Sequence, residues 1–154
     1  MKLSSSLPAL PAGRGKRFAI VVSRFNSAVT DRLLAGCRST FRAAGVADRD
    51  VRVVYAPGAF ELPFLCRRLA TSRRYHAVVA LGCIVRGQTP HDRYISQAVA
   101  QGIMTVGLET GVPVVFGVLT PLNARQARAR SGRGEANKGV ESARAALAMA
   151  SGDF

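Results

Sequence analysis

At 154 residues the chain has the length of one domain, and such a chain buries roughly two thirds of its unfolded surface without help from disulfides or metal. Hydrophobic residues at 48% and charged residues at 20% exclude a disordered, collagenous or coiled-coil chain. Twenty-two Lys and Arg against nine Asp and Glu leave a formal net charge of +13, which asks for an anionic partner: nucleic acid, a membrane surface or a phosphorylated metabolite.

The N-terminus argues against export, because its apolar stretch is broken by Pro8 and Pro11. Residues 1–16, rich in Ser, Pro, Gly and basic side chains, are expected to be an irregular lead-in, and residues 17–154 a single domain. No apolar run approaches the length of a membrane span. Cys37, Cys66 and Cys83 are far apart and form neither CxxC nor Cys/His ligand spacings, so no zinc site or disulfide framework follows. Reduced thiols and no export signal predict a cytoplasmic protein with no membrane partner.

Phe18–Val22 is the first of four short, β-branched apolar runs; Val51–Tyr55, Ala77–Leu81 and Val114–Leu119 follow. Each reads as a strand buried on both faces, the parallel-sheet pattern. Between the first two, Val29, Leu33, Leu34, Cys37, Phe41 and Ala44 recur at helical spacing, with Gly45 as the expected terminator. Further helices are predicted from about Phe60 to Ala70, His91 to Glu109, Asn123 to Arg130 and Ala136 to Met149. Alternation of strand and helix predicts right-handed βαβ units and one doubly wound sheet, with ligands beyond the carboxyl ends of the strands.

The loops at that end carry the chemistry. Strand one is followed by Ser23-Arg24-Phe25-Asn26, strand two by Pro57-Gly58-Ala59-Phe60-Glu61, and strand three by Arg86-Gly87-Gln88-Thr89-Pro90-His91. In the third loop Gly87 allows close backbone approach, Thr89 is a candidate cap, and Pro90 suits a first helical turn, which together make an anion site of the helix N-terminus kind. A histidine in that turn can accept and return a proton. The other histidine, His76, precedes strand three and reads as packing or surface. A basic segment, Arg130 to Gly139, lies between the last two helices. Basic residues cluster only there, from Arg125 to Arg133, and at Arg14 to Arg17; no aromatic residue interleaves with either cluster and Trp is absent, which argues against nucleic acid. Neither GxGxxG nor a Walker sequence is present.

Five segments, Val21–Asn26, Pro57–Pro63, Leu81–His91, Gly111–Thr120 and Asn137–Gly139, resemble the signatures of the lumazine synthases in order and spacing, from about Arg17 to Met149. The resemblance implies a flavodoxin-like three-layer sandwich, a four-stranded parallel sheet with helices on both faces, assembling into pentamers with active sites shared between subunits. It implies two small-molecule substrates, a ribitylamino-pyrimidinedione and a four-carbon dihydroxybutanone phosphate, condensed to a lumazine without metal or cofactor. Carried over residue by residue, Phe25 would stack on the pyrimidine. Ala59, Phe60 and Glu61 would line the ribityl chain. Gly87, Gln88 and Thr89 would bind phosphate, with Arg130 reaching in from the neighbouring subunit or the same rim. His91 would shuttle protons, and Phe116 and Lys138 would complete the site.

Taken singly, each of these residues also reads as core or solvated surface; their joint placement in these loops favours function. Two departures stand out. The family follows the histidine with an aromatic and then an acidic residue, whereas this chain has Asp92 and Arg93, a shift of about 100° around a helix. The family's Gly-Thr-Lys after the arginine is Gly132-Arg133-Gly134 here, leaving Arg133 as the candidate for the missing cation. The alternatives are a catalytically weakened relative serving as a shell-forming or ligand-binding protein, and a flavodoxin-type flavin module. The latter lacks the Ser/Thr/Gly-dense loop after strand one. The short segment from Arg130 to Asn137 also suggests a closed shell of pentamers.

Overall fold

A computed structural model describes residues 7–152 and Phe154. It contains strands β1 (Phe18–Ser23), β2 (Val51–Ala56), β3 (Ala77–Cys83) and β4 (Val114–Leu119). The helices are α1 (Ser27–Ala43), α2 (Leu62–Thr71), α3 (His91–Thr110), α4 (Ala124–Ala129) and α5 (Lys138–Ser151). All strands are parallel, in the order β2-β1-β3-β4.

The period of two along each strand divides the interior into two layers. Phe18, Ile20 and Val22 of β1 and Val79 and Leu81 of β3 pack with Leu33, Cys37 and Phe41 of α1 and Ala143, Ala146 and Leu147 of α5. The alternating residues Ala19, Val21, Val78 and Ala80 pack with Leu62 and Cys66 of α2 and Val99 and Ile103 of α3. The result is the flavodoxin-like three-layer α/β sandwich. Burial of the apolar face that each helix carries stabilises the arrangement by about 25 cal/mol per Å².

The expectation that all four runs are buried on both faces holds only for the central pair. Every residue of β1 and β3 is buried, whereas β2 and β4 are partly open. The physical reason is position: as edge strands each has a neighbour on one side only.

Gly45, at φ +88°, follows the last turn of α1 as expected, in a backbone region that favours glycine. Gly139 allows α5 to cross α1 at backbone contact, because a Cβ there would lie 1.9 Å from the Leu33 carbonyl oxygen. The second helix begins with a tight 3-10 turn, Ala59–Glu61, before α2 proper. Residues 7–16 form neither helix nor strand. They are nevertheless docked: the Gly13 N–H donates to the Ala44 carbonyl at 2.8 Å, and Leu10 packs against the α1/α5 layer. Residues 1–6 of the predicted lead-in lie outside the described residues.

The three cysteines are buried and unpaired. Burial pushes the Cys66 thiol up to about 12, and raises those of Cys37 and Cys83. His76 is an exposed extension of the β1/β3 pairing: its N–H donates to the Arg17 carbonyl and its Nδ1 accepts from the Arg17 N–H. Among the described residues no helix is long and apolar enough to cross a membrane.

Candidate active site

The order β2-β1-β3-β4 puts neighbours on both sides of β1, so the loops after β1 and β3 diverge to opposite faces and leave a crevice at their carboxyl ends. A cavity of about 400 Å³ lies there. Three loops build it.

The β1 loop turns at Asn26, which sits at φ +61° and ψ +43°, a left-handed conformation that Asn tolerates better than most residues. Its Nδ2 donates to the Cys83 carbonyl at 2.7 Å, stitching the loop after β1 to the end of β3. Below it, Thr30 Oγ1 donates to the Ser23 carbonyl at 2.8 Å, and the Arg24 N–H continues the β1/β2 ladder to Ala56. This scaffold leaves Phe25 70% exposed at the cavity mouth. An aromatic side chain held out in water by a fixed turn is available for stacking.

The β2 loop is held by Glu61, whose Oε2 accepts from the Gly58 N–H at 3.0 Å. That bond closes the 3-10 turn and presents Phe60, 62% exposed, beside the carboxylate. One oxygen of Glu61 is thus anchored, and the group retains acceptor capacity for a hydroxyl.

The β3 loop is extended rather than free. Its Ile84 and Arg86 N–H groups donate to the carbonyls of Leu119 and Pro121, at 2.8 and 3.0 Å, which aligns Cys83, Ile84 and Val85 along the cavity wall. Gly87, Thr89 and His91 follow on the lining. Thr89 does not cap α3 as expected: the helix starts at His91, Pro90 holds the cap position, and no side chain caps it. The Pro90 carbonyl accepts from Arg93 and Tyr94, leaving the His91 and Asp92 amides without intrahelical partners. Asp92 answers the first departure from the family pattern. Its Oδ1 accepts from the Gly87 N–H at 3.4 Å, so the shifted carboxylate folds back on the anion loop.

Phe25, Ala59, Phe60, Glu61, Gly87, Thr89 and His91 therefore converge on one cavity. Gln88 is exposed in the same loop, outside the lining. Arg130 and Lys138 lie elsewhere, in a separate cavity of about 540 Å³ beyond the carboxyl end of β4, beside Thr120, Pro121 and Gln126. Phe116, 37% exposed on edge strand β4, lines neither.

Asn137 frames the segment that joins Arg130 to Lys138, from the side of a third cavity. This residue is 3% exposed; its Oδ1 accepts from the Gly139 and Val140 N–H groups, and its Nδ2 donates to the Arg32, Ser131 and Gly132 carbonyls. It caps α5 and gathers the preceding loop at once. The Lys138 N–H then donates to the Arg130 carbonyl at 2.8 Å, setting the two basic residues side by side. Lys138 Nζ reaches Glu141 at 2.9 Å, whereas Arg130 has no carboxylate partner among the described residues. Arg133, the candidate for the missing cation, lines that third cavity, against Arg32 and Ser39 of α1.

Sequence reasoning missed Asn26, the Cys83–Val85 wall and Ile95. The signal for Asn26 was an Asn directly before a helix and after an exposed aromatic, a turn former in a turn position. The wall residues read as ordinary strand continuation.

The lining of the first cavity thus carries aromatic faces, the carboxylates of Glu61 and Asp92, loop amides and a histidine but no Arg or Lys, whereas Arg130 and Lys138 line the second. The sequence from residue 15 to 152 matches the 6,7-dimethyl-8-ribityllumazine synthase family. With its parallel sandwich and its loops converging at the switch point, the chain belongs to that family, whose members serve riboflavin biosynthesis as transferases.

Proposed function

We propose that the chain condenses 5-amino-6-ribitylamino-pyrimidinedione with 3,4-dihydroxy-2-butanone 4-phosphate, giving 6,7-dimethyl-8-ribityllumazine, phosphate and water. The observation that carries this reading is the convergence of Phe25, Phe60, Glu61, Gly87 and His91 on one cavity at the switch point. Phe25 stacks on the planar heterocycle, and Glu61 accepts from a ribityl hydroxyl. The amine of the pyrimidine attacks the ketone carbonyl and a first water leaves; phosphate is then eliminated, and the ribitylamino nitrogen attacks the carbonyl so formed, closing the ring with loss of a second water. His91, in the first turn of α3, takes and returns the protons of these steps. Much of the rate comes from holding amine and carbonyl together.

The phosphate needs a cation that the first cavity does not supply. Arg130 is the candidate, as its planar fork matches a phosphate bidentately. In this reading Arg130, Lys138 and Phe116 serve the first cavity of a neighbouring copy, and each site is completed across an interface joining two different surface patches, the kind that closes into rings. Tyr94, Met104 and Leu108, 70%, 62% and 76% exposed on one face of α3, support self-association. Pentamers follow from the family resemblance. A closed shell of them at moderate salt, loosening at low ionic strength where +13 per chain is less screened, is the expected assembly.

Incubating the assembled protein with both substrates and following the lumazine absorption tests the activity. Product formation is expected. No product from a folded, assembled sample would contradict it and leave the reading of a shell-forming or ligand-binding relative.

A further inference from the structure

At the end of the sheet opposite the candidate active site, a cavity of about 560 Å³ opens between the segments that lead into β1, β2 and β3. Four arginines line it: Arg17, Arg49, Arg52 and Arg74. The two carboxylates on its wall do not balance them. Asp48 is turned to Arg42, outside the lining, at 2.8 Å, and Asp50 approaches Arg17 only to 3.9 Å. Arg49, Arg52 and Arg74 have no carboxylate partner among the described residues.

The three segments are held in place independently of any ligand. Arg17 is bound to His76 by two backbone-mediated bonds of 2.8 and 3.0 Å, Arg52 pairs in register with Ala19, and the turn before β3 is closed by Ser72 Oγ donating to the Leu69 carbonyl at 2.6 Å. Within that turn Arg73 adopts φ +60°, an uncommon backbone for a side-chain-bearing residue. Like charges held together on fixed backbone repel one another, and an anion placed among them removes that repulsion while using guanidinium forks already near their working positions. The volume falls within the range of small-ligand sites.

We propose that this cleft binds a compact polyphosphate anion, at a site separate from that of the phosphorylated substrate. Four arginines supplied by three segments match a ligand with several phosphoryl groups better than a single phosphate, because each guanidinium fork can take two oxygens. Arg17 and Arg49 flank the β2 start, Arg52 projects from the edge strand, and Arg74 closes the side near Tyr75.

The test is calorimetric titration of the full-length assembled protein with inorganic triphosphate, the ionic strength held constant with sodium chloride. Wild type is compared with Arg52→Ala/Arg74→Ala, with Arg130→Ala, and with Arg125→Ala/Arg128→Ala, which removes the same charge elsewhere. The expected result is a triphosphate site that weakens by at least about tenfold in the Arg52/Arg74 variant, the loss of charge-assisted bonds, and changes little in the other two. Equal weakening in the charge-matched control, or loss in Arg130→Ala alone, would overturn the proposal. Arg52 and Arg74 are exposed, so the fold does not depend on them; Arg52→Lys/Arg74→Lys, which keeps charge and removes the fork, is expected to weaken binding in the same order.

Discussion

The cavity at the β1/β3 switch point and the cavity beyond β4 open at the same end of the sheet, yet they share no lining residue. The first is assembled from three loops tied to one another within the chain, by Asn26 to Cys83 and by the Arg24 N–H to the Ala56 carbonyl. The second displays its cations at the outer edge of the sheet, on a segment whose backbone is framed by one buried residue outside the lining, Asn137. The first holds aromatic faces, two carboxylates and a histidine; the second holds the basic pair Arg130 and Lys138. On the proposed function, that difference divides a two-substrate reaction between two parts of one fold. In that proposal the neutral heterocycle takes the preformed crevice, and the dianion is left to the arginine of a neighbouring copy.

The largest expected effect concerns the first cavity. His91→Ala lowers kcat by about 10²–10⁴-fold, the range for general acid–base catalysis, and the lower part of that range is expected because positioning contributes independently. Steady-state kinetics with both substrates reads it. Next in size, Arg130→Ala raises KM for the phosphorylated substrate roughly 10–100-fold while leaving that for the pyrimidine near wild type, as loss of a charge-assisted contact predicts. Equal losses for the two substrates would erase the distinction between the cavities.

A third change tests what organises the second region. Asn137→Ala removes the cap of α5 and deprives three carbonyls of a donor, and is expected to cost about 2 kcal/mol in denaturant unfolding. It should also impair the phosphorylated substrate, because the Arg130 backbone loses its frame. The smallest effect belongs to Asp92→Asn. Because the carboxylate faces the Gly87 N–H instead of the histidine, the pH profile of kcat is expected to stay unchanged, with at most a few-fold shift in phosphate affinity; a displaced profile would make Asp92 the partner of His91.

Much of the sandwich was legible in the sequence because burial on both faces writes a continuous apolar run, as in Phe18–Val22 and Ala77–Leu81. The edge strands were over-read: Val51–Tyr55 and Val114–Leu119 have the same composition, but their exposure is decided by strand order, which no single segment encodes. The first cavity was legible for a related reason, since loops that follow strands in parallel sheets share one end. Thr89 was misjudged because capping depends on backbone angles, and Pro90 took the cap position. Asn26 was overlooked because its left-handed turn and its bond to Cys83 are tertiary facts. The separation of Arg130 and Lys138 from the other candidates follows from β4 lying at the far edge, and Arg133 faces α1 because Asn137 draws the loop inward.

Subunit complementation tests the central claim most directly, the claim that this chain forms the lumazine at sites joining the first cavity of one copy to the Arg130 region of another. His91→Ala and Arg130→Ala proteins are unfolded together, reassembled at equal ratio and assayed with both substrates. Random mixing at a head-to-tail interface restores both groups in about a quarter of the sites, so activity well above either variant alone is predicted. Activity no greater than the average of the two variants, from an assembly shown to contain both, would contradict the account.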